Sequence, residues 1–65
     1  MLDTDKLEYQ RARNMLNYTE LARKVGISKT SMSKLKLGKT QPLPSTFKAL
    51  CEALDCKPED LLKEV

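Results

Sequence analysis

Apolar residues recur along the chain at helical spacing. Leu21, Ala22 and Val25 stand at i, i+1 and i+4, and Met32 and Leu35 at i and i+3. Phe47, Leu50, Cys51 and Leu54 form an i, i+3, i+4, i+7 stripe, and Leu61 and Leu62 close the end. With Leu7, Ala12, Met15 and Leu16 these positions predict one small core. No stretch alternates with period two, so no strand is expected. Start and stop signals frame the stripes. Asn17 with Glu20 has capping-box spacing, and Leu16 is placed to staple onto Leu21. Ser28 repeats the cap, with Ile27 ahead of it facing Met32. Cys56 faces Leu61 across Pro58 at a first helical position, with Glu59 and Asp60 in the first turn. Gly26 and Gly38 follow apolar stripes and suit left-handed helix ends. Pro42 and Pro44 forbid helix between them and deliver the chain to a start near Ser45. The prediction is all-α: helices at about 4–14, 18–25, 29–37, 45–54 and 58–64 in a single domain over 1–65. No linker, repeat or low-complexity tract interrupts it.

Two of these helices, 18–25 and 29–37, are joined by Gly26-Ile27-Ser28. A short glycine-containing turn between two such helices is the helix-turn-helix pattern. Ala22 is small enough to let the second helix cross the first closely. Gly26 permits the sharp exit, and Ile27 fills the corner.

Charge sharpens the picture. No acid lies between Glu20 and Glu52, but seven bases do: Arg23, Lys24, Lys29, Lys34, Lys36, Lys39 and Lys48. The chain totals 12 bases and 9 acids, so the remainder carries 12 − 7 = 5 bases against all 9 acids, or −4. A basic middle between acidic ends suits a polyanionic partner, although lysines also serve simply to solvate helix faces.

The segments from Leu16 to Ser28 (Leu16-Asn17-Tyr18-Thr19-Glu20-Leu21-Ala22-Arg23-Lys24-Val25-Gly26-Ile27-Ser28) and from Ser33 to Thr40 resemble the lambda-repressor-like, Cro/CI-type helix-turn-helix family. The run from Thr46 to Leu62 is similar to that family's last two helices. The resemblance covers roughly residues 7–62. It implies a five-helix, sequence-specific binder of double-stranded DNA, of the kind found in phage and bacterial transcriptional regulators such as repressors. One departure stands out. Many members carry a glutamate near the end of the third helix that pairs with an arginine of the first. Arg11 matches that arginine, but the partner position holds Lys36, so Arg11 is left for a phosphate or for another partner.

In a helix-turn-helix the second helix enters the major groove and reads bases from its N-terminal part. With Met32 and Leu35 inward, at about 100° per residue Thr30, Lys34 and Leu37 point outward, flanked by Lys29 and Ser33. Lys29, Thr30, Ser33 and Lys34 are therefore the expected base-reading set, with Ser28 at the start of the same helix. Lysine can donate to guanine, and the threonine methyl can meet that of thymine. Without Arg, Asn or Gln on this face, bidentate contacts worth about 1–3 kcal/mol each are missing, so specificity per half-site is expected to be modest. The resemblance places Asn17 and Tyr18 against the DNA backbone, where free helix N-terminal amides favour phosphate. Lys39, Thr40 and Gln41 match the family's phosphate-contacting loop. Leu37 is apolar on an outward face; Pro42, Leu43 or a sugar is its available neighbour.

One recognition helix reads few base pairs, so two copies on neighbouring half-sites are expected. No dimerisation segment follows the last predicted helix before Val65. Pairing is thus expected to be weak and to use the last two helices or the DNA itself. The competing reading is a protein-binding adaptor of the same fold, antirepressor-like or antitoxin-like, which would need an exposed apolar patch. An enzyme is not expected. There is no histidine, and the thiols and hydroxyls lack a base. No cofactor or metal is expected either, since Cys51 and Cys56 have neither zinc-ligand spacing nor histidine companions. They read as reduced core thiols of a cytoplasmic, nucleoid-associated protein, with a stapling disulfide as the alternative. No apolar run approaches the ~18 residues of a membrane helix, and Met1-Leu2-Asp3-Thr4-Asp5-Lys6 is acidic where a secretory signal is basic.

Overall fold

The computed structural model describes residues 1–63. Four α-helices follow one another: α1 Thr4–Arg13, α2 Tyr18–Val25, α3 Lys29–Lys36 and α4 Pro44–Leu54. A single 3₁₀ turn, Pro58–Asp60, comes after α4. Helix α2 packs against both α3 and α4, α1 packs on α3, and the 3₁₀ turn packs on α4. The described chain measures 29 × 23 × 19 Å.

The starts follow the sequence closely. The Asn17 side chain accepts the Glu20 N–H at 2.7 Å while Glu20 accepts the Asn17 N–H at 3.1 Å, a complete capping box. Ser28 Oγ accepts the Ser31 N–H at 3.1 Å. Asp3 caps α1 by accepting the Asp5 and Lys6 N–H groups at 2.9 and 3.2 Å. Gly26 and Gly38 take the expected left-handed conformation, with φ of 86° and 74°.

Two other helix ends use the same conformation without glycine: Met15 has φ 56° and Asp55 φ 50°. At Met15 the Leu16 N–H returns to the Arg11 carbonyl at 3.2 Å and the Met15 N–H to that of Ala12 at 3.0 Å. This is a Schellman closure. It turns the Met15 side chain outward, and that residue is 89% exposed. Ala12 is exposed as well. The expectation that Met15 and Ala12 join the core is thus corrected; α1 contributes Leu7, and Gln10 beside it.

The core consists of Leu2, Leu7, Leu21, Ala22, Met32, Leu35, Leu50, Cys51, Leu54 and Leu61, with Leu16, Val25, Ile27 and Phe47 packed against it. Ala22, on the buried face of α2, is 2% exposed, as close helix crossing requires.

The expected fifth helix at 58–64 is also corrected. Helix ends at Asp60, and Leu62 forms an antiparallel bridge with Leu2. The Lys63 N–H donates to the Met1 carbonyl and the Asp3 N–H to the Leu61 carbonyl, both at 2.8 Å. These bonds spend, on the chain's start, backbone groups that a continued helix would pair internally. Leu2 is buried by the clasp, whereas Leu62, expected in the core, is largely outside it. Glu64 and Val65 lie outside the described residues. The bridge is the only extended pairing among the described residues, and it forms no strand.

Candidate nucleic-acid interface

Nine of the ten candidate contact residues are exposed: Asn17, Ser28, Lys29, Thr30, Ser33, Lys34, Lys39, Thr40 and Gln41. Tyr18 is half-buried. Burial of Met32 and Leu35 fixes the rotation of α3, so Lys29, Thr30, Ser33 and Lys34 stand on its solvent side. The N-terminus of α2 borders the same surface. Tyr18, Thr19, Lys29, Met32 and Ser33 together line a shallow depression of about 100 Å³. Thr19 was not among the expected residues. Its signal was positional, since it follows Tyr18 in the first turn of α2, where backbone N–H groups lack helical acceptors.

Beyond α3, the Lys39 N–H donates to the Lys34 carbonyl at 2.9 Å and closes the helix into the loop. Gln41 is anchored there, because its Oε1 accepts the Leu2 N–H at 2.9 Å. Gln41 is exposed, and its amide NH₂ takes no part in that bond. Leu37, the C-cap of α3, is 63% exposed, so packing within the chain leaves most of it to solvent.

A polar cluster supports this surface from behind. Arg11 donates to Glu8 through Nε at 2.9 Å and Nη2 at 2.5 Å, and to the Leu16 carbonyl through Nη1 at 2.7 Å. The Tyr18 hydroxyl donates to the same Glu8 carboxylate at 2.5 Å. Arg11 and Lys36 lie 5.0 and 4.8 Å from the Tyr18 ring centroid. The arginine therefore pairs within α1, three residues away, where the sequence left it for a phosphate or another group. The Glu8–Arg11 spacing was legible as a helical ion pair; the aromatic link to Lys36 was not.

The bonds from Arg11, then that from Tyr18, hold the Glu8 carboxyl down at about 2. Burial and then the bond to Glu8 push the Tyr18 phenol up to about 12. Glu8 in turn raises Arg11, which keeps its charge. The Tyr18 side chain is thus committed inward, and its amide, at the first position of α2, is the group available to an anion.

Among the described residues no cluster of three or more His, Cys, Asp or Glu could hold a metal. None of the helices is long and apolar enough to cross a membrane.

Comparison with known proteins bears on the family and the fold. The uncharacterized HTH-type transcriptional regulator YozG of Bacillus subtilis (strain 168) is 42% identical over 53 residues, which are 80% of this chain and 63% of YozG. The chain thus spans less than two thirds of that relative's length. The crystal structure of the P22 c2 repressor in complex with a synthetic operator superposes with a TM-score of 0.85 at 28% identity, covering 97% of this chain and 96% of that one. The solution structure of the P22 c2 DNA-binding domain gives 0.82 at 25% identity, covering 91% and 78%. The Cro/C1-type HTH DNA-binding domain family matches residues 7–65, and the chain belongs to that family.

Proposed function

We propose that this chain binds double-stranded operator-like DNA as the sequence-reading part of a prokaryotic or phage transcriptional regulator. Helix α3 enters the major groove; Lys29, Thr30, Ser33 and Lys34 meet base edges, with Ser28 at their edge. Asn17, whose own N–H goes to Glu20, caps α2 so that Tyr18 presents its amide to one phosphate, and Lys39, Thr40 and Gln41 meet another. The carrying observation is the exposure of Ser28, Lys29, Thr30, Ser33, Lys34, Lys39, Thr40 and Gln41 within one basic, carboxylate-free stretch of the chain: no acid occurs from Leu21 to Cys51. An acid there would repel phosphate and need a counter-charge. Two copies occupy adjacent half-sites and associate weakly apart from DNA. The compartment is that of the nucleoid, in the cytoplasm. The reading assigns no catalytic step.

One observation favours the adaptor reading. Met1, Leu2, Gln41, Pro42, Pro44, Phe47 and Leu62 line an apolar depression of about 430 Å³. It includes Gln41 but none of the base-reading residues of α3, so it suits pairing of copies or a protein partner beside the proposed DNA surface. Selection of bound duplexes from random sequence, followed by anisotropy titrations at several salt concentrations, tests the proposal. A recovered motif, with affinity falling linearly in log–log salt, is expected. Binding without any enriched motif would refute base reading by α3, and absence of binding at low salt would leave the adaptor reading.

A further inference from the structure

Cys51 and Cys56 occupy the two ends of the turn that closes α4. The Cys56 N–H donates to the Cys51 carbonyl at 3.0 Å, and the Asp55 N–H to the Glu52 carbonyl at 3.3 Å. With Asp55 at φ 50° this is a Schellman closure, which brings the side chains of its first and sixth residues together. Helices α1 and α3 end with the same pair of bonds, but their end residues are Arg11 with Leu16 and Lys34 with Lys39. Among the described residues only α4 places two thiols there. Both are free.

We propose that Cys51 and Cys56 form a reversible dithiol–disulfide site whose oxidant is a low-molecular-weight disulfide. A single 3.0 Å hydrogen bond joins the peptide groups of the two residues, so bridging needs little backbone movement. The thiols are unequal in access. Cys51 is 8% exposed. Cys56 is half-buried and borders two surface depressions: one of about 530 Å³, with Arg13, Lys57 and Asp60, which Cys51 does not line, and one of about 470 Å³, with Lys48 and Glu52, which both cysteines line.

Cys56 therefore reacts first. Its thiolate attacks one sulfur of the reagent, forming a mixed disulfide and releasing one thiolate. Cys51 then gives its proton to water, attacks the Cys56 sulfur and expels the second thiolate. The protein dithiol loses two electrons and two protons, and the reagent disulfide is reduced to two thiols. Burial raises both cysteines, Cys56 to about 11; Asp60 adds to the rise at both and Glu52 at Cys51, while Arg13 opposes it at Cys56, so the exchange quickens with rising pH. The resulting bridge secures a junction already held from α1, where Asn14 donates to the Leu54 carbonyl at 2.9 Å and Arg13 to that of Asp55 at 3.3 Å.

The test equilibrates the folded chain with glutathione and glutathione disulfide at graded ratios, quenches with an alkylating reagent and maps the products by mass spectrometry. The expected product has lost two hydrogens, carries a Cys51–Cys56 link, holds no glutathione and reverts with dithiothreitol. C51S is expected to stop at a glutathione adduct on Cys56, and C56S to react at least about tenfold more slowly than wild type. A glutathione adduct as the wild-type end product, a disulfide between chains, or no reaction of the native protein would each overturn the proposal. The wild-type mapping decides even where a variant fails to fold.

Discussion

Lys36 Nζ lies 4.8 Å from the centroid of the Tyr18 ring, joining the end of α3 to the start of α2. The basic residue stands where the family resemblance leads one to expect glutamate. The ring accepts it, while Glu8, on α1, takes Arg11 and the Tyr18 hydroxyl. Three helices are thus tied through one aromatic side chain. A double-mutant cycle with Tyr18→Leu and Lys36→Ala should give a coupling of about 0.5–1 kcal/mol, the range for an exposed cation–π pair. Additive effects in denaturant unfolding would show the contact to be energetically idle.

The same cluster sets an acid-dependent part of the stability. Glu8 ionises at about 2 in the folded chain against an ordinary 4.5. A depressed carboxyl contributes stability that is complete above its unfolded value and is lost as pH falls through the folded one. Thermal unfolding should therefore show wild type losing stability between about pH 4.5 and 2 more steeply than Glu8→Gln does. Parallel curves for the two proteins would contradict the assignment. At the alkaline end the Tyr18 phenol, pushed up to about 12, has the opposite sign: its contribution is complete below about pH 10 and fades above it.

Left-handed positions separate strain from contact. A Cβ placed on Gly26 meets nothing within 4 Å, so Gly26→Ala should destabilise through backbone conformation alone, by about 1 kcal/mol. Met15 and Asp55 bear that conformation with side chains already present. Met15→Gly should be neutral to stabilising, by up to about 1 kcal/mol, because the exposed side chain contributes little packing to lose. Leu2→Ala, at a buried position of the terminal clasp, should cost about 2 kcal/mol or more. Chemical denaturation of the variants provides the comparison, and a destabilised Met15→Gly would mean that Met15 packs in solution.

On DNA, Lys34→Ala and Lys39→Ala should differ in kind. Loss of a base-reading lysine relaxes preference at its own base pair. Loss of a phosphate lysine weakens all sequences alike and lowers the salt slope by about one. Competition binding against single-base operator variants distinguishes them; identical profiles would remove Lys34 from the base-reading set.

The sequence by itself determined what is local. Capping at Asn17 and Ser28, glycine at Gly26 and Gly38, and the inward stripe of Met32 and Leu35 act within one or two helical turns. They set α2, α3 and the outward face of Lys29, Thr30, Ser33 and Lys34. Tertiary structure decided what depends on distant partners. Residues 61–63 exchange a helix for a clasp because Met1 and Asp3 supply their hydrogen bonds, some sixty positions away. Met15 leaves the core because α1 closes through a left-handed residue that no glycine announced. Arg11 settles on Glu8, and Lys36 on Tyr18, because only the packing of α1, α2 and α3 brings those charges and that ring within reach. Local backbone chemistry is written in neighbouring residues, whereas charge partners and chain-end pairing are set by which surfaces the burial of Leu7, Leu21 and Leu50 forces together.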